Sequence, residues 1–169
     1  MLAAVNTIMN RREWAMLVTL SVLWGGSFFF AEIALESLPP LTIVTLRVGL
    51  AAITLWLVVL ALKLPIPNSP PIWITFLTMG LLNNVLPFSL IVWGQSQISS
   101  GLAAILNATA PLFGVIVAGI LLRDESATPL KITGVVIGFA GVIVMMDLSS
   151  IATSSLLAQL AILAAALSY

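Results

Sequence analysis

Long apolar runs, separated by short polar or proline-rich segments, dominate the sequence. Five of them are 18 to 22 residues long, about the length of a helix that crosses roughly 30 Å of hydrocarbon: 14–35, 41–62, 72–93, 101–122 and 129–146. A sixth run begins at Leu156 and reaches only Tyr169, roughly 21 Å of helix. The pattern predicts an all-α fold, a polytopic membrane helix bundle with five transmembrane helices and a truncated sixth.

The basic residues predict how these helices are oriented. Five of them fall in segments on one side of the predicted bundle: Arg11, Arg12, Lys63, Arg123 and Lys131. The loops on the opposite side contain no Lys or Arg. Because cytoplasmic loops carry an excess of Lys and Arg, we expect the N-terminus to lie in the cytoplasm, with the protein in the plasma or bacterial inner membrane.

Composition agrees with a membrane protein and removes several function classes. The chain is 61% hydrophobic and 7% charged, with a mean hydropathy of +1.21 and no net charge. No basic face for nucleic acid is therefore expected. Cysteine and histidine are both absent, so we expect no metal site, no cofactor and no catalytic triad.

One polar arrangement occurs in both the third and the fourth run. Asn83 precedes Pro87 by four residues, and Asn107 precedes Pro111 by four. A proline inside a helix leaves the carbonyl four residues earlier without its N–H partner. Unpaired carbonyls and amides persist in a membrane only where neighbouring helices or a wet cavity satisfy them. We therefore expect Asn83, Asn84 and Asn107 to line a substrate pathway; the alternative is that the amides only bond each other.

Two charged residues lie inside the predicted helices. Arg47 lies in the second run, where a charge is costly and is by default a functional candidate. Glu32 lies near the end of the first run, on the predicted antiparallel neighbour, so the two are candidates for an ion pair. The alternative is that Arg47 only extends toward the interface or holds two helices together.

The fifth run carries glycines on one stripe, at positions 134, 138 and 141. Small residues at this spacing let the backbones of two membrane helices approach closely. We expect Gly134, Gly138 and Gly141 to form a helix-packing seam.

Taken together, these features resemble the EamA-type branch of the drug/metabolite transporter superfamily. Four groups of residues carry the resemblance: Trp24, Gly25 and Ser27; Pro39, Pro40 and Arg47; Ala110, Pro111 and Glu125; and Gly134, Gly138 and Gly141. Glu32 and Asp124 depart from the usual pattern, which often has Lys or a neutral residue at the first position and Gly at the second.

The resemblance implies two tandem five-helix repeats in inverted topology, with ten helices in all and the substrate path between the halves. The chain would then divide into a cytoplasmic lead (1–13), the first repeat (14–147), and a turn with the truncated start of the second repeat (148–169). Trp24 and Ser27 would join Arg47, Asn83, Asn84 and Asn107 as substrate-binding residues, while Pro87 and Pro111 would shape the helices.

The function expected from this resemblance is that of a permease that moves small metabolites by alternating access. Its partners would be the lipid bilayer, the substrate, and a second repeat of the same protein or another copy. The alternative is a truncated, non-transporting membrane fragment or helical scaffold. An intramembrane enzyme has little support, because Ser27 and Thr109 have no histidine or lysine partner at a plausible depth.

Overall fold

The computed structural model describes residues 10–121, 128–145 and 155–169, and these residues form helices and turns without strands. In chain order the helices are α1 (Arg11–Leu35), α2 (Pro40–Ala61), α3 (Pro70–Gly80), α4 (Leu86–Gln95), α5 (Ser100–Asn107), α6 (Ala110–Leu121), α7 (Pro129–Met145) and α8 (Leu156–Ser168). One π-helical segment, Leu81–Val85, joins α3 to α4.

Four of the helical stretches are long and apolar enough to cross a membrane. They are α1, α2, the continuous stretch Pro70–Gln95, and the stretch Ser100–Leu121 that comprises α5 and α6. Helices α7 and α8 are apolar but shorter, with 17 and 13 residues. The predicted all-helical membrane architecture is thereby confirmed, whereas the count of five helices plus a sixth stays a prediction.

Helix α1 starts three residues earlier than the predicted 14–35, because a capping box closes its N-terminus. The Asn10 side chain accepts hydrogen bonds from the backbone N–H groups of Arg12 (2.9 Å) and Glu13 (3.0 Å). The Glu13 carboxylate in turn accepts from the Asn10 N–H at 2.6 Å. These bonds satisfy N–H groups that a helix start otherwise leaves unpaired, so the helix includes Arg11.

The third membrane-length helix ends two residues later than predicted. The sequence predicts a turn from Gly94, but α4 continues to Gln95, and both residues are buried. A Cβ atom at Gly94 would lie 2.7 Å from Ile162 Cγ1 and 3.2 Å from the Ala158 carbonyl oxygen. A side chain at this position would displace Ile162 and press on the α8 backbone, so glycine allows the close approach of α8.

The core lies where α8 packs against α4 and α5. Its buried apolar side chains come from α1, α4, α5, α8 and the α4–α5 turn: Phe28, Ile91, Ile98, Leu102, Ala103, Leu106, Ala158, Ile162 and Ala165. The small alanines of α8 allow this close packing. Most other large apolar side chains are exposed, as expected where lipid is the solvent.

The predicted glycine seam on α7 makes a close contact at one position. A Cβ at Gly138 would lie 2.6 Å from Leu112 Cδ2 on α6. At Gly134 and Gly141 a Cβ would meet nothing within 4 Å. Of the three glycines of α7, only Gly138 makes a close contact with the described residues.

Candidate functional site

The first Asn-to-Pro unit coincides with the π-helical segment. Pro87 has no N–H to donate to the Asn83 carbonyl, and just before it the N–H of Leu86 bonds to Leu81 O, five residues back. The helix therefore accommodates the proline by widening locally, and such π-bulges are frequent at functional sites. Both asparagines of this segment, Asn83 and Asn84, have exposed side chains.

The second unit divides a membrane-length helix in two. Helix α5 ends at Asn107 and α6 begins at Ala110, one residue before Pro111. Thr109 closes the break, since its N–H and its hydroxyl both donate to Leu106 O, at 3.2 and 2.6 Å. Its own carbonyl accepts from the N–H groups of residues 112 and 113, so both backbone polar groups of Thr109 have partners within the chain.

Asn107 is the polar group at this break that lacks a partner. Its side chain is only 6% exposed, and its Oδ1 atom accepts no hydrogen bond from any described residue. A buried unpaired acceptor typically costs about 1–3 kcal/mol. Such a group calls for an explanation, and a ligand with a hydrogen-bond donor is one.

A large cavity opens beside Asn107, between α1, α5, α6 and α8. Its volume is about 860 Å³, within the range of small-molecule sites. Apolar and aromatic side chains make up most of the wall, including Trp24, Phe28 and Phe113. The polar contributors are Ser21, Asn107 and Tyr169. Such a wall accepts an apolar body and offers a few polar contacts that orient it.

A narrow cleft of about 10 Å³ shares four lining residues with this cavity: Trp24, Phe28, Asn107 and Tyr169. Its other lining residues are Ser27, Arg47, Phe88, Ile91 and Gln95. The cleft therefore brings together four of the predicted site residues, Trp24, Ser27, Arg47 and Asn107, from α1, α2 and α5. Its volume has room for about one water-sized group.

Arg47 lies over an aromatic ring and does not pair with Glu32. Its Cζ atom is 4.2 Å from the centroid of the Phe88 ring, a cation–π contact. Glu32 instead accepts a hydrogen bond from the hydroxyl of Ser100 at the start of α5. The ion pair considered from the sequence was therefore wrong, because Glu32 faces the N-terminus of α5 and Arg47 faces α4.

The remaining predicted residues lie elsewhere. Asn84 lines a separate groove of about 790 Å³ between α2 and the α3–α4 stretch, and Arg47 also borders this groove. Asn83 lines neither that groove nor the cavity beside Asn107. The structure thus separates residues that the sequence predicts to share one cavity, while their role in substrate binding stays a prediction.

Two residues of the site were missed by the sequence analysis. Gln95 is 6% exposed, and its Nε2 donates to Phe28 O at 3.0 Å, which ties α4 to α1. Tyr169 lines both the cavity and the cleft. A glycine followed by polar residues is typical of a turn, so the sequence holds no signal for the burial of Gln95. Within the described residues no three His, Cys, Asp or Glu side chains are grouped to hold a metal.

Comparison with known proteins shows which family this chain is similar to. The EamA-like transporter family matches residues 12–147. An uncharacterized transporter of Archaeoglobus fulgidus is 28% identical over 80% of this chain and 48% of its own length. Protein PagO of Salmonella typhimurium is 31% identical over 72% of this chain and 39% of its own length. The uncharacterized inner membrane transporter YedA of Escherichia coli K12 is 31% identical, over 76% and 42% respectively.

The chain spans about half or less of the length of these relatives. No solved structure matches it significantly. The family match covers both Asn-to-Pro units and every predicted site residue. The chain therefore belongs to the EamA-like transporter family, within the drug/metabolite transporter superfamily.

Proposed function

We propose that this chain is part of a permease that moves small metabolites across a membrane, and that the cavity beside Asn107 is a segment of the substrate path. The observation that carries the proposal is the Oδ1 atom of Asn107, which is buried without a hydrogen-bond partner at the wall of an 860 Å³ cavity. Two of the similar proteins, from Archaeoglobus fulgidus and Escherichia coli, are named as transporters, which supports the same activity.

The transport mechanism we propose is alternating access between two five-helix repeats in inverted topology, ten helices in all. Residues 14–147 would form the first repeat, and 148–169 would begin the second. The boundary between them, at residues 147 and 148, lies outside the described residues. The packing of α8 into the core supports this arrangement, since α8 would tie the second repeat to the first. The opposite wall of the path would come from a second repeat or from another copy.

The orientation we propose places the N-terminus in the cytoplasm of a cell with this protein in its plasma or inner membrane. It rests on the sequence, which puts five basic residues in segments on one side of the predicted bundle and none in the loops predicted on the other. The name of YedA, an inner membrane transporter, supports the same membrane for this chain.

A pair of matched asparagine variants tests the proposal. Asn107→Leu and Asn83→Leu remove the same amide, each four residues before a proline, but only Asn107 lines the cavity. In a two-repeat protein that contains residues 1–169, we expect Asn107→Leu to lower transport at least tenfold and Asn83→Leu to leave it near wild type. A polar contact between membrane helices is worth only about 0.6 kcal/mol on average, so neither variant should lose much stability.

Thermal unfolding and expression level are the controls for this pair. Unchanged transport in a stable, normally expressed Asn107→Leu protein would contradict the proposal. It would leave a structural role for the amide and favour a helical scaffold as the chain's function.

A further inference from the structure

We infer that two hydrogen bonds latch the turn between α4 and α5 to α1, and that this latch is a gate at one end of the cavity beside Asn107. The inference rests on the proposed function and adds a conformational device to it. In the first bond Gln95 Nε2 donates to the Phe28 carbonyl at 3.0 Å. In the second the Ser100 hydroxyl donates to the Glu32 carboxylate. These four residues are the latch.

The two bonds hold the turn at both of its ends. Gln95 is the last residue of α4, and Ser100 is the first residue of α5. Their partners Phe28 and Glu32 are four residues apart, so they lie on one face of α1, one helical turn from each other. The turn therefore cannot leave α1 at either end without breaking a bond.

The two bonds differ in their surroundings. Gln95 is buried, and its partner residue Phe28 belongs to one buried apolar cluster with Ile98 of the turn and Leu102 of α5. Glu32 is exposed. The latch thus consists of a bond inside an apolar seal and a second bond at the exposed edge of that seal.

The cavity beside Asn107 ends at the latch. On α1 its lining runs from Ser21 to Phe28, whose carbonyl accepts the buried bond. On α5 its lining begins at Ala104, one helical turn after Ser100. Separation of α1 from the turn would therefore open the cavity toward the end of the bundle where the turn lies. The intact latch closes this route.

Irregular segments at the other ends of α4 and α5 provide places where this helix pair bends. Helix α4 follows the π-helical segment Leu81–Val85, and α5 stops at Asn107, before the break that Thr109 closes. Helices kink at prolines and at π-bulges, and Pro87 and Pro111 lie next to these two points. The two Asn-to-Pro units thus place one bending point at each end of the pair, and the latch holds the turn between them.

The test measures how fast a thiol at the cavity wall is reached from the side of the turn. Ala104→Cys places this thiol one helical turn from the latch, in a chain that has no natural cysteine. A charged, membrane-impermeant thiol reagent is added to membranes that contain the full chain, only on the side that Ser96→Cys faces. Because the reagent crosses neither lipid nor a closed gate, the rate of modification follows the fraction of molecules with an open latch.

With the latch intact we expect Ala104→Cys to react slowly. Ser100→Ala removes one bond and should raise the rate about fivefold, the usual net worth of one hydrogen bond. Gln95→Leu removes the buried bond and should raise the rate at least as much. Gln97→Leu, in the exposed part of the turn, is the matched control and should leave the rate unchanged.

A second matched pair covers the case in which Gln95→Leu fails to fold. Glu32→Gln weakens the exposed bond by removing its charge, and Glu36→Gln makes the same change at the end of α1; both side chains are exposed. We expect only Glu32→Gln to raise the rate. Equal rates for Ser100→Ala and the chain with an intact latch would overturn the inference, as would fast modification of Ala104→Cys with the latch intact.

The accessibility test requires no transport, so its outcome is separable from that of the proposed function. A rate that depends on the latch, together with transport insensitive to Asn107→Leu, contradicts the proposed function alone. Transport sensitive to Asn107→Leu, together with a rate that ignores the latch variants, contradicts this inference alone.

Discussion

At the scale of single residues, two asparagines with the same local signature have different surroundings. Asn83 and Asn107 each stand four residues before a proline, yet Asn83 is exposed and Asn107 is 6% exposed at a cavity wall. A proline perturbs a helix by removing one backbone hydrogen bond to the residue four positions earlier, so the sequence alone predicts where both helices are perturbed. Which amide faces protein depends on neighbours that are remote in sequence, and no local pattern contains that information.

The glycines of α7 differ in the same way and provide a stability prediction. Gly138→Leu would place its side chain into Leu112, whose Cδ2 lies 2.6 Å from the position of a Cβ. We expect a loss of about 1–3 kcal/mol, the usual cost of overpacking. Gly134→Leu is the control, because a Cβ there meets nothing within 4 Å. Thermal unfolding of the purified proteins in detergent measures both, and equal effects would show that Gly138 is no special contact.

At the scale of helices, the sequence predicts most of the described elements. Apolar runs of membrane length and proline-rich turns define α1, α2 and the stretches Pro70–Gln95 and Ser100–Leu121 to within a few residues. The predicted helix bounds are wrong at helix ends, because contacts of individual residues determine where a helix begins or ends. A capping box extends α1 back to Arg11, and contact with α8 keeps Gly94 inside α4.

Helix α8 is the element whose packing we expect to matter most for stability. Ile162 is fully buried at the contact with Gly94, whereas Leu160 on the same helix is 52% exposed. Ile162→Ala should cost about 2 kcal/mol or more, because it removes dispersion contacts and leaves a cavity. Leu160→Ala should cost little, since lipid replaces the lost contacts.

Unfolding in detergent, followed by the loss of helical circular dichroism, compares these two variants. Similar midpoints for Ile162→Ala and Leu160→Ala would contradict the central position of α8. The comparison is sharp because both substitutions shorten a branched aliphatic side chain to alanine in the same helix.

At the scale of the whole molecule, the composition determines the class of protein and the tertiary packing determines the site. An apolar fraction of 61% and the absence of cysteine and histidine already indicate a helical membrane protein without the usual metal ligands. The sequence also singled out Trp24, Ser27, Arg47 and Asn107, which share one cleft. The sequence does not show that Gln95 and Tyr169 join them, because both are placed by contacts between helices distant in the chain.

The central claim is that the cavity beside Asn107 is a water-accessible path through the membrane. Two glycines allow a direct test, since the chain has no natural cysteine. Gly114 lines the cavity, Gly49 lies in the middle of α2, and a Cβ at either position meets nothing within 4 Å. A cysteine at Ser96, in the exposed turn after α4, tests which side of the membrane this turn faces.

The most direct measurement is the rate at which a charged, membrane-impermeant thiol reagent modifies these three cysteines in membranes that contain the protein. We expect Ser96→Cys to react in intact cells, as the proposed orientation requires. Reaction only after permeabilisation would show that the orientation is wrong. In permeabilised membranes Gly114→Cys should react at least tenfold faster than Gly49→Cys, because a thiol in hydrocarbon does not ionise or meet the reagent. Equal, slow modification of Gly114→Cys and Gly49→Cys would contradict the cavity as a path.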